Sequence, residues 1–121
     1  MHRVYLACDD LLFCEGLRNT FQTHADFTVC GEAKNDVQVL KEVMKLAPSL
    51  VVMEVKPSPW DSLEIAEALK VILPHTPLFL ITESDILRQV EKVALSNGID
   101  TVFAKGEDVA SIVENARAVL S

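Results

Sequence analysis

Apolar residues recur along this chain in two rhythms. Some form short unbroken runs, and others return every three or four positions. The first rhythm suits strands buried on both faces of a parallel sheet, and the second suits helices with one face turned inward. Arg3 to Cys8 (RVYLAC) predicts a first strand, followed by Asp9-Asp10. Leu11 to Gln22 spaces Phe13, Leu17 and Phe21 about one turn apart, a helix face that Gly16 weakens slightly. Asp26 to Gly31 (DFTVCG) predicts a second strand. The next helix starts at Asn35, which caps it while Gln38 reaches back as in a capping box. Val39, Leu40, Val43, Leu46 and Ala47 form its inward stripe, and Pro48 stops it. Leu50 to Glu54 (LVVME) predicts a third strand that ends in a carboxylate and runs into the turn Lys56-Pro57-Ser58-Pro59-Trp60. Asp61 or Ser62 then caps a third helix, with Ile65, Ala66, Leu69 and Ile72 inward. Pro77 to Thr82 (PLFLIT) is a fourth strand. Ser84 or Asp85 opens a fourth helix carrying Ile86, Val90, Val93 and Ala94, and Asn97-Gly98 closes it in the left-handed manner. Ile99 to Ala104 supplies the fifth strand, ending at Lys105. Val109, Ile112, Val113, Ala116, Val119 and Leu120 mark a final helix.

Strands alternating with helices define an α/β protein: a five-stranded parallel sheet with helices on both faces, joined by right-handed crossovers. With 121 residues the chain is expected to form a single domain, 1–121, since two cores would not fit. Half the residues are hydrophobic, which places the chain among globular proteins rather than disordered ones. The net charge of −7 argues against direct nucleic-acid binding by this segment. No apolar run approaches the roughly 20 residues of a membrane span, so the cytoplasm is the expected compartment and no membrane partner is expected. Cys8, Cys14 and Cys30 are odd in number and form no Cys-x-x-Cys pair. They read as small buried apolar side chains rather than a disulfide framework or zinc site.

In this arrangement Asp9, Glu54, Thr82 and Lys105 fall at the ends of the first, third, fourth and fifth strands, where open α/β sheets collect their chemistry. The stretches Cys8-Asp9-Asp10-Leu11-Leu12-Phe13-Cys14-Glu15-Gly16-Leu17, Cys30-Gly31-Glu32-Ala33 and Ser96-Asn97-Gly98-Ile99 carry a resemblance over essentially the whole chain. It resembles a receiver domain of a bacterial response regulator, in the subfamily that carries a LuxR-type helix-turn-helix output. The resemblance implies the CheY-like (βα)5 flavodoxin-type fold with strand order 2-1-3-4-5. It also implies a phospho-acceptor position at Glu54, an acidic pocket of Asp9 and Asp10, and switch residues Thr82 and Lys105. Mg²⁺ would then be held, weakly, by Asp9, Glu54 and the backbone carbonyl of Lys56.

The spacings match the family apart from one extra residue between Thr82 and Lys105. Several residues depart from it. Glu54 stands where the family has Asp. In the register that aligns Glu15-Gly16-Leu17, Cys8 replaces the first acid of the pair; a slip of one would make Asp9-Asp10 the pair. Val102 replaces the aromatic that rotates on activation. The extra methylene of Glu54 carries its oxygens about an ångström beyond those of Asp, a displacement that can cost on the order of a hundredfold in rate. Cys8 is a poor ligand for Mg²⁺, which favours oxygen.

The expected function is therefore that of an atypical receiver in two-component (phosphorelay) signal transduction that regulates transcription without being an enzyme. Glu54 would imitate the phosphorylated state by presenting its charge toward Thr82 and Lys105, held by a salt bridge to Lys105 or Lys56. One rival is a Mg²⁺-dependent receiver still phosphorylated by a histidine kinase. Another is a small-ligand-binding flavodoxin-like module. Expected partners are an output DNA-binding domain or partner protein and a histidine kinase, with a homodimer also open. The partner face would comprise the fourth helix, fifth strand and fifth helix, with Arg88, Gln89, Lys92, Glu107 and Asp108 as candidate exposed residues.

Overall fold

The computed structural model describes residues 1–121 except Asn35, Pro57 and Ser58, and except the side chains of Asp36, Pro59 and Trp60. The capping role expected of Asn35 lies outside the described residues. The elements run β1 (His2–Ala7), α1 (Leu11–Gln22), β2 (Phe27–Ala33), α2 (Asp36–Leu46), β3 (Leu50–Glu54), α3 (Pro59–Ile72), β4 (Leu78–Thr82), a 3₁₀ turn (Ser84–Ile86), α4 (Leu87–Ser96), β5 (Thr101–Ala104) and α5 (Val109–Leu120). All strands pair in parallel, in the order β2-β1-β3-β4-β5. This is the expected (βα)5 topology.

The sheet divides the interior into two apolar layers, and strand alternation assigns residues to each. Tyr5, Ala7, Val51, Met53, Leu78 and Leu80 pack with α2, α3 and α4 through Val43, Ala66 and Val90. Val4, Leu6, Cys8, Leu50, Val52, Phe79, Ile81 and Phe103 pack with α1 and α5 through Leu17, Phe21, Ile112 and Val113. β3 and β4 are buried along their whole length, which explains why they read as unbroken apolar runs.

Local chemistry moves several boundaries. α3 begins at Pro59, ahead of the expected cap, because proline's fixed φ suits a first helical turn. Ser62 is instead buried inside that helix, and its hydroxyl accepts the Lys56 backbone N–H at 3.0 Å. α2 stops at Leu46, and Ala47 takes a left-handed φ of 45° at an exposed position rather than joining the inward stripe. The Arg3 guanidinium donates to the released carbonyls of Leu46 (2.6 Å) and Ala47 (3.3 Å). Gly98 does adopt the left-handed conformation, at φ 78°. The N–H of Ile99 then returns to the Ala94 carbonyl at 3.1 Å, so β5 starts only at Thr101. In β2 the register against β1 slips between Val4 and Tyr5, leaving Cys30 as the bulged residue. The next residue, Gly31, lies against the Tyr5 ring, where an added Cβ would come within 2.9 Å of Cε2.

The cysteine reading requires a correction. Cys8 and Cys14 are buried, as expected, but they are joined as a disulfide, and only Cys30 is free. The loop after β1 turns back so that the first turn of α1 stands over the strand end. This brings the two Cα atoms to 5.9 Å, within the bridging range.

Candidate functional site

The carboxyl ends of β1, β3, β4 and β5 border a cleft of about 420 Å³ lined by Asp9, Asp10, Glu54, Lys56, Glu83 and Lys105, among others. Glu54 is its most enclosed charged group, with a side chain 5% exposed. It continues the parity of Leu50 and Val52 and pairs in register with Ile81, so its carboxylate emerges on the α1/α5 side of the sheet. There Oε1 accepts two backbone N–H bonds, from Asp9 at 2.8 Å and Asp10 at 3.0 Å. Oε2 forms an ion pair with the Lys105 ammonium.

Lys105 lies one residue past β5, and by alternation it shares the side of Phe103. Its backbone N–H donates to the Thr82 carbonyl at 2.8 Å, which ties the loop to the end of β4. Its ammonium also meets Asp10 Oδ2 at 3.3 Å and Glu83 Oε1 at 3.4 Å, and it stands 5.2 Å from the centroid of the Phe13 ring. Partial burial alone would push this amine down. The bond and charge of Glu54, followed by Asp10 and Glu83, outweigh that effect and hold it above the usual lysine range. Asp10 also caps α1 by accepting the Phe13 N–H at 3.3 Å. That bond, followed by Lys105, holds the Asp10 carboxyl below its usual value.

The structure therefore brings together Asp9, Asp10, Glu54 and Lys105. Asp9 contributes its main-chain N–H, and Asp10 contributes both its N–H and its charge. Of the two lysines considered as partners for Glu54, Lys105 makes the ion pair. Lys56 lines the cleft, and its ammonium donates to the Lys34 carbonyl at 3.1 Å. Thr82 sits at the expected strand end, fully buried, and its hydroxyl has no hydrogen-bond partner among the described residues. The reason is parity. Glu54 pairs with Ile81, and Thr82, one residue on, follows Leu78 and Leu80 to the other side of the sheet. Val102 packs half-buried against the α2–α4 layer. Arg88, Gln89, Lys92, Glu107 and Asp108 are all exposed.

The donor set does not suit Mg²⁺. Both oxygens of Glu54 are already engaged, and the Lys105 ammonium supplies a positive charge against them. The Cys8 sulfur is bonded to Cys14. Among the described residues, no group of three or more His, Cys, Asp or Glu side chains is placed to hold a metal ion. Also among them, no helix is long and apolar enough to cross a membrane. The sequence reading missed three contributors: Glu83, Phe13 and the backbone N–H groups of the β1–α1 loop. Only Glu83, directly after a strand end, left a signal in the sequence.

A doubly wound parallel sheet with two acids and a lysine gathered at its carboxyl edge defines the CheY-like class. No family model matches the chain. It is 26% identical over 102 residues, 84% of its length, to the response regulator protein VraR of Staphylococcus saprophyticus, of which it covers 48%. It is 30% identical over 83 residues, 69% of its length, to YxjL of Bacillus subtilis, an uncharacterized transcriptional regulatory protein, of which it covers 38%. Among solved structures, a LuxR-family two-component response regulator from Aurantimonas superposes with a TM-score of 0.88 at 21% identity, over 99% of this chain and 85% of that one. Within the CheY-like class the chain is a receiver domain of the two-component response regulators. It spans less than half the length of either curated relative.

Proposed function

We propose that this receiver works in a transcriptional regulator as a phosphorylation-independent module, acting in the cytoplasm through protein contacts rather than catalysis. The observation that carries this reading is the saturation of Glu54: one oxygen holds two N–H groups and the other an ammonium. A phosphoryl acceptor needs an oxygen free to attack in line and a cation to neutralise the incoming group. Here the attacking oxygens are occupied, and the cation is a lysine already shared with Asp10 and Glu83. The pocket thus carries internally the charge balance that a phosphorylated receiver reaches by modification. An attached DNA-binding output is the expected recipient, and α4, β5 and α5 are the proposed contact face.

The test is to incubate the protein and its Glu54→Asp variant with acetyl phosphate and Mg²⁺ and to weigh both intact. The wild type is expected to keep its mass. A gain of one phosphoryl group on the wild-type chain, lost on mild alkaline hydrolysis, would overturn the proposal.

A further inference from the structure

The Cys8–Cys14 bridge spans the segment that grips Glu54. Between the two sulfurs lie Asp9 and Asp10, whose N–H groups hold Oε1, and Phe13, whose ring faces the Lys105 ammonium. Asp10 is also the cap of α1 and a partner of Lys105. One covalent bond therefore fixes the loop's two donors, its helix cap and its aromatic wall together. We propose that Cys8 and Cys14 form a redox-active pair, oxidised by low-molecular-weight disulfides, whose state sets how firmly the β1–α1 loop holds residue 54.

The pairing is specific. Cys8 and Cys14 share the α1/α5 layer, whereas Cys30 packs against the opposite layer, across the sheet. Burial also pushes the Cys30 thiol up, which makes it a poor competitor for exchange. Both bridge residues are buried, at 4% and 5% exposure, so exchange proceeds through local opening of the loop and first helical turn. That turn lies at the surface, with Leu11 and Leu12 67% and 81% exposed.

The chemistry is thiol–disulfide exchange. One protein thiolate attacks a sulfur of oxidised glutathione, forming a mixed disulfide and releasing one glutathione thiolate. The second protein thiolate then attacks the mixed disulfide, forming the Cys8–Cys14 bond and releasing the second glutathione. Two electrons pass from the protein dithiol to the oxidant, and the protons of the two protein thiols end on the two glutathiones. A reducing dithiol reverses the sequence. In a reducing compartment such a pair persists only transiently, which suits sensing rather than permanent bracing.

Formation of the bond is independent of the role given to Glu54; its consequence at the site rests on that role. The test equilibrates the Cys30→Ser protein with oxidised or reduced glutathione, followed by alkylation in denaturant and intact mass. Amide exchange at Asp9 and Asp10 is measured in both states. Expected results are no alkylation after oxidation and two alkyl groups after reduction. Exchange at Asp9 and Asp10 should be about tenfold slower in the oxidised form. Alkylation of both cysteines after the oxidising step would overturn the proposal, as would equal exchange in the two states. The wild type treated with each glutathione form repeats the comparison without any substitution. The oxidised Glu54→Ala variant, which takes the acceptor away from both N–H groups, separates the two ideas. If it forms the bond yet exchanges like its parent at Asp9 and Asp10, the carboxylate reading fails while the redox pair stands.

Discussion

Replacing Lys105 with methionine removes one charge and keeps most of the aliphatic stem, so it isolates the electrostatic role of the residue. The loss falls mainly on Glu54, whose side chain is 5% exposed and whose other oxygen already holds two N–H bonds. Breaking a buried pair by deleting one member costs about 3–5 kcal/mol, because the remaining charge stays in a poorly solvated place. The two retained N–H bonds and the cleft's access to water place Lys105→Met near the low end, about 3 kcal/mol. With a urea m-value of roughly 1–3 kcal/mol per molar, the midpoint should fall by about 1–3 M.

Glu54→Gln keeps an acceptor for Asp9 and Asp10 and leaves Lys105 with Asp10 and Glu83, whose side chains are 48% and 61% exposed. Its expected cost is smaller, about 1 kcal/mol. The decisive measurement is the double variant. With no buried charge left unpaired, it should be more stable than Lys105→Met alone, giving a coupling of about 2 kcal/mol by a double-mutant cycle. Additive costs, or a Lys105→Met midpoint matching wild type, would refute the idea that the cleft is organised by this pair.

The two glycines discussed for β2 and α1 should respond in opposite directions. Gly31→Ala drives a Cβ into the Tyr5 ring, which is buried and bonded through its hydroxyl to Glu42 at 2.9 Å. A loss of about 1–3 kcal/mol in chemical denaturation is expected. Gly16→Ala in α1 meets nothing within 4 Å and should raise stability by about 0.5–1 kcal/mol, read as a higher Tm. The hydrogen bond of Arg117, foremost among its causes, lowers the Asp26 carboxyl from its ordinary 3.8 to about 2. A depressed carboxylate contributes stability above its unfolded value and loses it as pH falls through the folded one. Wild type should therefore lose stability between about pH 4 and 2 more steeply than Asp26→Asn, as followed by circular dichroism during acid titration.

The fold was legible because both faces of β3 and β4 are covered, so their sequences are apolar without interruption and their ends stand out as Glu54 and Thr82. Placing Lys105 and Glu54 together needed only the strand order and the side on which each strand end emerges. The disulfide was not legible. A six-residue separation does not indicate whether a loop closes, and closure here depends on how Asp10 starts α1. The position of Thr82 was half legible: its strand end could be read from the sequence, but its face depends on the register that pairs Glu54 with Ile81. Ser62 reads as a cap from local sequence. The helix starts earlier, at Pro59, and frees that hydroxyl for the Lys56 backbone.

The pairing of Glu54 with Ile81 makes the length of β3 matter as much as its composition. Deleting one residue between Leu50 and Glu54 would leave a strand just as hydrophobic, yet it would rotate the terminal acid into the greasy space between Met53's neighbours on α3 and α4 and present an aliphatic side chain to the lysine. Conservative apolar exchanges at Val51 to Met53 should therefore cost less than a one-residue deletion, which an indel scan should find among the least tolerated changes in the protein.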